Sequence, residues 1–319
     1  MLLNFFLLII GFYVLVKSAD FLIDGSTALA KRLNIPTIVI GLTIVASGTS
    51  APELSVNIIA SLAKSNEIAL GNVIGSNIAN ILLIAGISAV FTPLLVKPNT
   101  TWIEIPFCFL SALVTLILAN DKIIDALSFS YISRSDGIIL LLFFTIFLVY
   151  NFFIGLKNEC DKNLIVKEYT ILKSIIIIIL SLCFLFGSGW LIVYSAKKIA
   201  LSLGISERVI GLTIVAIGTS LPELITSLVA LHKKEIDLAL GNVIGSNIFN
   251  VFFILGISSV IYPINIAGTN NIDLLLNILA SLLLFIFVFT GKVRKIDRTE
   301  GIIFLVIYFS YVIFLFYKK

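Results

Sequence analysis

The stretch GLTIVASGTSAPEL at residues 41–54 returns as GLTIVAIGTSLPEL at residues 211–224. The stretch ALGNVIGSNIAN at residues 69–80 returns as ALGNVIGSNIFN at residues 239–250, at the same offset of 170 residues. Residues 41–94 align with 211–264 without a gap and are identical at 31 of 54 positions. A duplicated polar motif within apolar sequence is typical of transporters whose substrate site lies between two repeats.

Composition places this chain in a membrane. Of its 319 residues 59% are hydrophobic and 13% are charged, and the mean hydropathy is +1.14, whereas about 25% of the residues of a soluble globular protein are charged. The apolar N-terminus lacks basic residues before it and a small-residue cleavage site after it, so we interpret it as a spanning helix and not as a signal peptide. The small net charge of +4 argues against nucleic-acid binding.

Ten apolar segments are each close to the ~20 residues that cross a bilayer as a helix, and they predict an all-α polytopic membrane protein. Five precede and five follow a polar stretch, so the first repeat covers residues 1–156, a short central loop 157–173 and the second repeat 174–319. A repeat of five crossings enters the membrane from the opposite face, which predicts inverted repeats. We number the segments as spans 1 to 10: residues 2–23, 37–63, 68–92, 102–120, 137–155, 171–195, 207–231, 238–262, 272–291 and 301–317.

Orientation follows from the basic residues. Of the 22 lysines and arginines, 14 lie in or near the loops that follow spans 1, 3, 5, 7 and 9. The side richer in basic residues is normally cytoplasmic, so both termini are predicted to lie outside. Acidic residues close to the span ends are expected to be solvated; these are Asp20, Asp24, Asp121, Asp125 and Asp136.

Glu53 and Glu223 lie in the middle of spans 2 and 7. A carboxylate at that depth costs at least ~2.5–3.5 kcal/mol on insertion scales and usually marks an ion or proton path. Each follows a proline, Pro52 or Pro222, which cannot donate to the carbonyl four residues earlier. We therefore predict broken helices in spans 2 and 7, with free carbonyls near Gly48 and Gly218 that line a cavity.

Hydroxyl and amide side chains recur around each glutamate at spacings that place them on shared helix faces. All candidate ligands are oxygens, which disfavours zinc and copper, whereas Na⁺ and Ca²⁺ both accept irregular oxygen sites. A site that holds either ion, but not both, meets the requirement of an exchanger. The side chains are Thr49, Ser50, Glu53, Ser76 and Asn80 in the first repeat and Thr219, Ser220, Glu223, Ser246 and Asn250 in the second.

The blocks GTSAPE and GNVIGSNIAN, repeated as GTSLPE and GNVIGSNIFN, resemble the two alpha-repeats of the sodium/calcium exchangers, a family of the calcium/cation antiporter superfamily. The short central loop is similar to that of prokaryotic members. The resemblance implies that Glu53 and Glu223 bind Ca²⁺ and also contact Na⁺, and that spans 1 and 6 slide across the other helices. It further implies that the sodium sites are completed by the hydroxyls of Thr49, Ser50, Ser76, Thr219, Ser220 and Ser246 and by the carbonyls of Ala46 and Ala216, with Asn80 and Asn250 at the middle of the cluster.

Other functions remain open on the sequence. In the resemblance, Asn250 stands where the potassium-dependent branch carries aspartate, which favours a potassium-independent exchanger. The Pro-Glu pairs stand where proton/calcium exchangers carry Asn-Glu, so proton coupling is the second hypothesis. A cation channel is the third, and an intramembrane enzyme lacks a convincing nucleophile and base. The expected partners are Ca²⁺, Na⁺ and the lipid of a prokaryotic inner (plasma) membrane, with no cofactor and no obligate protein partner.

Overall fold

The computed structural model describes residues 2–124, 129–157, 167–202, 216–266, 271–291 and 293–317. Helices dominate these residues. The α-helices are α1 (Leu2–Leu33), α2 (Thr37–Ile40), α3 (Ala46–Thr49), α4 (Ala51–Leu62), α5 (Asn66–Ile78), α6 (Gly86–Phe91), α7 (Ile105–Leu118), α8 (Asp121–Ile124), α9 (Arg134–Lys157), α10 (Ile171–Ser202), α11 (Ala216–Thr219), α12 (Leu221–His232), α13 (Ile236–Ile248), α14 (Gly256–Ile261), α15 (Asn271–Phe287) and α16 (Arg298–Tyr317).

Within the described ranges, four π-helical segments interrupt or precede α-helices: Gly41–Val45, Ala79–Ala85, Thr100–Glu104 and Phe249–Leu255. The second and fourth lie 170 residues apart, follow the two GNVIGSN blocks directly and contain Asn80 and Asn250. π-helical turns are rare and occur frequently at functional sites. The sequence patterns did not predict them.

Seven helices among the described residues are long and apolar enough to cross a membrane. An eighth crossing is formed if Thr37–Thr49 and Ala51–Leu62, which meet at a bend of 47°, are taken as one broken span. Helices α12 and α15 are apolar but shorter, and residues 207–215 of span 7 lie outside the described residues. The chain is therefore a helical multi-pass membrane protein, and the count of ten crossings stays a prediction.

The predicted breaks in spans 2 and 7 are present. Helix α3 ends at Thr49 and α4 begins at Ala51, with Ser50 between them at φ −82° and ψ 9°. Ser220 separates α11 from α12 at nearly the same angles, φ −88° and ψ 3°. The chain turns at the serines, two residues beyond the glycines that we expected, because proline fits readily into the first turn of the helix that follows.

The chain divides into two compact units, each drawn from both repeats. Unit 1 is Met1–Pro52 with Asn151–Asn242, and unit 2 is Glu53–Tyr150 with Val243–Lys319. In unit 1, α1 packs along α10, so closely that a Cβ at Gly11 would lie 2.7 Å from Ile192 Cγ1. Helix α1 extends ten residues beyond span 1, as far as Leu33.

Unit 2 contains two short antiparallel strand pairs, an addition to the all-α expectation. Strand β1 (Leu94–Leu95) pairs with β4 (Lys295–Ile296), and β2 (Ser130–Ile132) pairs with β3 (Ile264–Ile266). Each pair joins two loops that are distant in sequence. The interior of this unit includes a group of stacked and edge-on rings: Phe107, Phe143, Phe144, Phe147, Phe249, Phe252 and Phe253.

Candidate ion-binding site

The two glutamates lie in the first turn of the helices that follow the breaks. Glu53 is the third residue of α4 and Glu223 the third residue of α12, and both are fully buried. Backbone N–H groups at a helix N-terminus stabilise a carboxylate in that position. Because the helix breaks at the serine, the proline lies in the first turn of a new helix and does not disturb an existing one. The same break places each carboxylate beside the free N–H groups of that first turn, where a charge is tolerated inside a membrane.

In unit 1, neutral side chains surround Glu223. Ser50 Oγ donates to Glu223 Oε1 over 2.9 Å, and Asn242 Nδ2 donates to the Glu223 carbonyl over 3.3 Å. Asn242 also donates to Ser227 Oγ at 3.0 Å and accepts from Thr49 Oγ1 at 3.1 Å. Within the described residues Glu223 Oε2 is buried without a hydrogen-bond donor. A buried, acceptor-only oxygen of this kind fits a bound cation.

In unit 2, Glu53 accepts from a serine of its own repeat, and its carbonyl accepts from an asparagine. Ser76 Oγ donates to Glu53 Oε1 at 3.4 Å, and Asn72 Nδ2 donates to the Glu53 carbonyl at 3.2 Å. Asn72 also donates to Asn57 Oδ1 at 2.7 Å. Asn57 in turn donates to the Ala69 carbonyl at 3.0 Å and to Ser258 Oγ at 3.1 Å. The bond from Asn72 to the glutamate carbonyl is therefore the same as that from Asn242 in the other repeat.

Four asparagines of unit 2 form a crossed hydrogen-bond network. Asn77 and Asn80 lie on α5 and the π-helical segment that follows it, and Asn247 and Asn250 lie on α13 and the π-helical segment that follows that helix. Asn77 Nδ2 donates to the Asn247 carbonyl at 3.2 Å, and Asn247 Nδ2 donates to the Asn77 carbonyl at 3.4 Å. Asn80 Nδ2 donates to Asn247 Oδ1 at 2.9 Å, and Asn250 Nδ2 donates to Asn77 Oδ1 at 3.0 Å. Every one of these side chains is buried.

The other predicted ligands are located as follows. The Ala46 carbonyl accepts from Ser50 N at 3.1 Å and from Thr49 Oγ1 at 3.3 Å. Ser246 is buried, and its Oγ has no partner within the described part of the chain. Ser220 is buried at the turn between α11 and α12, and Ala216 and Thr219 are the end residues of α11. Residues 211–215 of the second motif lie outside the described residues.

One argument from spacing was wrong. The spacing of four residues predicted that Thr49 and Glu53 share a helix face, but the turn at Ser50 lies between them. Thr49 instead contacts Asn242, and Glu53 contacts Ser76. The rule that residues i and i+4 share a face fails where the proline-associated break interrupts the helix.

Sequence reasoning also missed several polar residues that support the site. Their signal was present, since Asn72 and Asn77 stand in the identical blocks beside Ser76 and return as Asn242 and Asn247. Across the described residues no group of three or more His, Cys, Asp or Glu side chains could hold a metal. The arrangement suits a weakly held, exchangeable ion, with single carboxylates supplemented by hydroxyl and amide oxygens.

Comparisons with known proteins agree with this chemistry. The family model described as "Sodium/calcium exchanger protein" matches residues 3–153 and 173–317. The sodium/calcium exchanger MaX1 of Methanosarcina acetivorans is 32% identical over 98% of this chain and 99% of its own. The inner membrane protein YrbG of Escherichia coli is 35% identical over 82% of this chain and 81% of its own.

Solved structures match as well. The sodium-calcium exchanger NCX_Mj, soaked with zero Na⁺ and Ca²⁺, superposes with a TM-score of 0.84 and 35% identity. The match covers 98% of this chain and 99% of that chain.

Proposed function

Because the chain belongs to the sodium/calcium exchanger family, we propose that it exchanges Na⁺ for Ca²⁺ across the membrane by alternating access. A multi-pass cation antiporter, and not an enzyme, is the class that this membership gives. The observation that carries the proposal is Glu223, a fully buried carboxylate with one hydroxyl donor on Oε1 and none among the described residues on Oε2. When such a group is ionised inside a membrane, a cation is needed to balance its charge.

The proposed ligands are those of both repeats. Glu53 and Glu223 bind Ca²⁺ and, in its absence, share Na⁺ ions with the neighbouring hydroxyl and carbonyl oxygens. Asn80 and Asn250 supply amide oxygens, and both Oδ1 atoms are buried without a donor within the described residues. The remaining proposed ligands are Ala46, Thr49, Ser50, Ser76, Ala216, Thr219, Ser220 and Ser246.

We also propose ten crossings in two inverted repeats, with both termini outside a prokaryotic inner membrane. Contacts within each unit support this topology. Strands β1 and β4 join the loops after spans 3 and 9, whereas β2 and β3 join the loops after spans 4 and 8. In unit 1 Arg32, which follows span 1, donates to the Tyr169 carbonyl after span 5. Every pair joins loops that the topology places on one side.

The proposed movement is that of α1 with α10. In unit 1 the two helices pack closely along each other's length, as expected of two helices that move together. Exchange of three Na⁺ for one Ca²⁺, the ratio that the resemblance implies, would carry one net charge. That charge is worth ~2.3 kcal/mol per 100 mV, so inward Na⁺ movement would favour Ca²⁺ extrusion.

The test is uptake of ⁴⁵Ca²⁺ into proteoliposomes loaded with Na⁺, compared with vesicles loaded with K⁺ or choline at equal pH on both sides. We expect saturable uptake only in the Na⁺-loaded vesicles and a rate that responds to an imposed membrane potential. Equal uptake driven by a pH gradient without Na⁺ would replace the proposal with proton coupling. Flux that neither saturates nor needs a counter-ion would indicate a channel.

A further inference from the structure

In the crossed network of unit 2, bonds to backbone carbonyls fix which way the first two amide groups face. Asn77 and Asn247 each donate their amide nitrogen to the other's main-chain carbonyl, over 3.2 and 3.4 Å. A carbonyl oxygen can only accept, so the nitrogen of each amide must face it. The Oδ1 atom of each side chain is consequently turned to the opposite side, and neither amide can flip without losing its backbone bond.

The orientation of those two amides fixes the orientation of the Asn80 and Asn250 amides. Asn247 Oδ1 faces Asn80 Nδ2 at 2.9 Å, and Asn77 Oδ1 faces Asn250 Nδ2 at 3.0 Å. Because Oδ1 atoms can only accept, Asn80 and Asn250 must present their nitrogens to them. Ser76 Oγ accepts a second, longer bond from Asn250 at 3.3 Å.

As a result, the amide oxygens of Asn80 and Asn250 are held in buried positions without a hydrogen-bond donor among the described residues. Asn80 and Asn250 are 0% exposed, and their Oδ1 atoms have no hydrogen-bond donor in the part of the chain that the structure describes. Buried polar oxygens are normally satisfied, and exceptions demand an explanation. A flip of either amide would set oxygen against oxygen at the Asn77 or Asn247 side and lose the shorter of its bonds.

We propose that Asn77 and Asn247 are positioning residues, which fix Asn250 and Asn80 respectively with their amide oxygens toward the transported cation. The inference rests on the proposed function, because it takes Asn80 and Asn250 as ligands. Its new content is the crossed assignment: Asn77 acts through Asn250 of the other repeat and not through Asn80 of its own. Partners that orient metal ligands typically affect metal affinity 10- to 100-fold.

The experiment is a pair of double-mutant cycles. Asn77→Ala is expected to raise the Ca²⁺ concentration for half-maximal uptake about tenfold. In the Asn250→Ala background the same substitution should add little, whereas in the Asn80→Ala background it should retain its full effect. Asn247→Ala should show the reverse pattern, losing its effect in Asn80→Ala and keeping it in Asn250→Ala. Each cycle is therefore the control for the other.

A second readout separates this proposal from the exchange reaction itself. Ca²⁺-induced thermal stabilisation of the purified protein reports binding without a coupling ion. If uptake proved independent of Na⁺, the cycles would still be decided by this measurement.

Additive effects in both backgrounds, equal coupling in both, or an unchanged Ca²⁺ response in Asn77→Ala would overturn the proposal. Failure of both Asn77→Ala and Asn77→Ser to fold would assign the pair to structure alone and overturn it equally.

Discussion

Asp24 and Glu223 are buried carboxylates of the same compact unit, and they differ in what balances their charge. Asp24, 9% exposed, lies 2.6 Å from Lys233 Nζ and 2.7 Å from Lys167 Nζ. Glu223, 0% exposed, accepts from a serine, and no lysine or arginine of the described residues forms an ion pair with it. One carboxylate is neutralised by the protein's own cations, and the other is the one that we propose binds a cation from solution.

The ion-paired cluster, which comprises Asp20, Asp24, Lys167 and Lys233, corrects an expectation. Asp20 and Asp24 were expected to be solvated at the end of a span. Helix α1 continues to Leu33, and Asp24 is buried within it, whereas the Asp20 side chain stays 37% exposed. Lys233, at the end of α12, contacts both aspartates and the Asp20 carbonyl. Removing one partner of such a buried pair is destabilising, because it leaves an uncompensated charge.

The largest effect is expected for Glu223→Gln, which keeps the shape but removes the charge. We expect Na⁺-dependent Ca²⁺ uptake to fall at least 100-fold while the protein remains folded, and the same for Glu53→Gln. Glu168→Gln, at an exposed position, is the matched control and should transport normally. Wild-type uptake by either site variant would show that its carboxylate is not a ligand.

A smaller loss is expected for Ser50→Ala. This change removes the hydroxyl donor of Glu223 Oε1 but leaves the carboxylate charge in place. A hydrogen bond to a charged group contributes about 1.5–3 kcal/mol, so the affinity for Ca²⁺ or Na⁺ should change by about tenfold or more. Ser47→Ala is the control, since the Ser47 hydroxyl donates to the Ile44 carbonyl three residues earlier and not to a glutamate among the described residues. Equal effects of both substitutions on ion affinity would remove Ser50 from the site.

Lys233→Met should show the opposite profile to the glutamate variants. It leaves two aspartates of α1 without their shared cation, so the protein should lose about 2–3 kcal/mol of stability. We expect a lower midpoint of thermal unfolding and a nearly unchanged Ca²⁺ concentration for half-maximal uptake. Removing the charge of Asp24 as well, in Asp24→Asn with Lys233→Met, should restore part of the stability. A variant as stable as the wild type would mean that the cluster does not hold α1 and α12 together.

Lys167→Met is expected to have the smallest effect, because the side chain is 54% exposed and exposed pairs contribute under about 1 kcal/mol. The hydrogen bond and the charge of Asp24 raise the pKa of Lys167. A raised lysine pKa contributes stability below the unfolded value of about 10.4, and this contribution is lost as the pH rises through the folded value. Any difference from the wild type should therefore vanish in strongly alkaline buffer, as measured by thermal unfolding. A difference that grew there would contradict the pairing.

Much of the fold could be predicted from the sequence because bilayer thickness and proline impose simple local rules. The apolar lengths located the helices, and Pro52 and Pro222 located the broken ones. What could not be predicted is tertiary in origin. The part of α1 near Asp24 forms ion pairs with lysines more than 140 residues away, and the π-helical segments have no signal in the local apolar pattern.

The candidate site was predictable in composition and less so in geometry. Duplication and burial identified Glu53 and Glu223, whose surroundings the structure gives as hydroxyls and amides. The spacing of Ser76 and Asn80 predicts one polar helix face, and Asn77, between them in sequence, is not part of that face. Its role depends on a partner in the other repeat, which a pattern within one helix does not contain.

The reciprocal bonds of Asn77 and Asn247 have a consequence for the origin of the chain. Each residue contacts its own counterpart, which is the geometry of an isologous interface, where a patch meets a second copy of itself. A single ancestral half, paired with an identical half, would have made the same two bonds with one asparagine. Gene fusion would then have preserved an existing self-complementary surface, and the network would be older than the two-repeat chain.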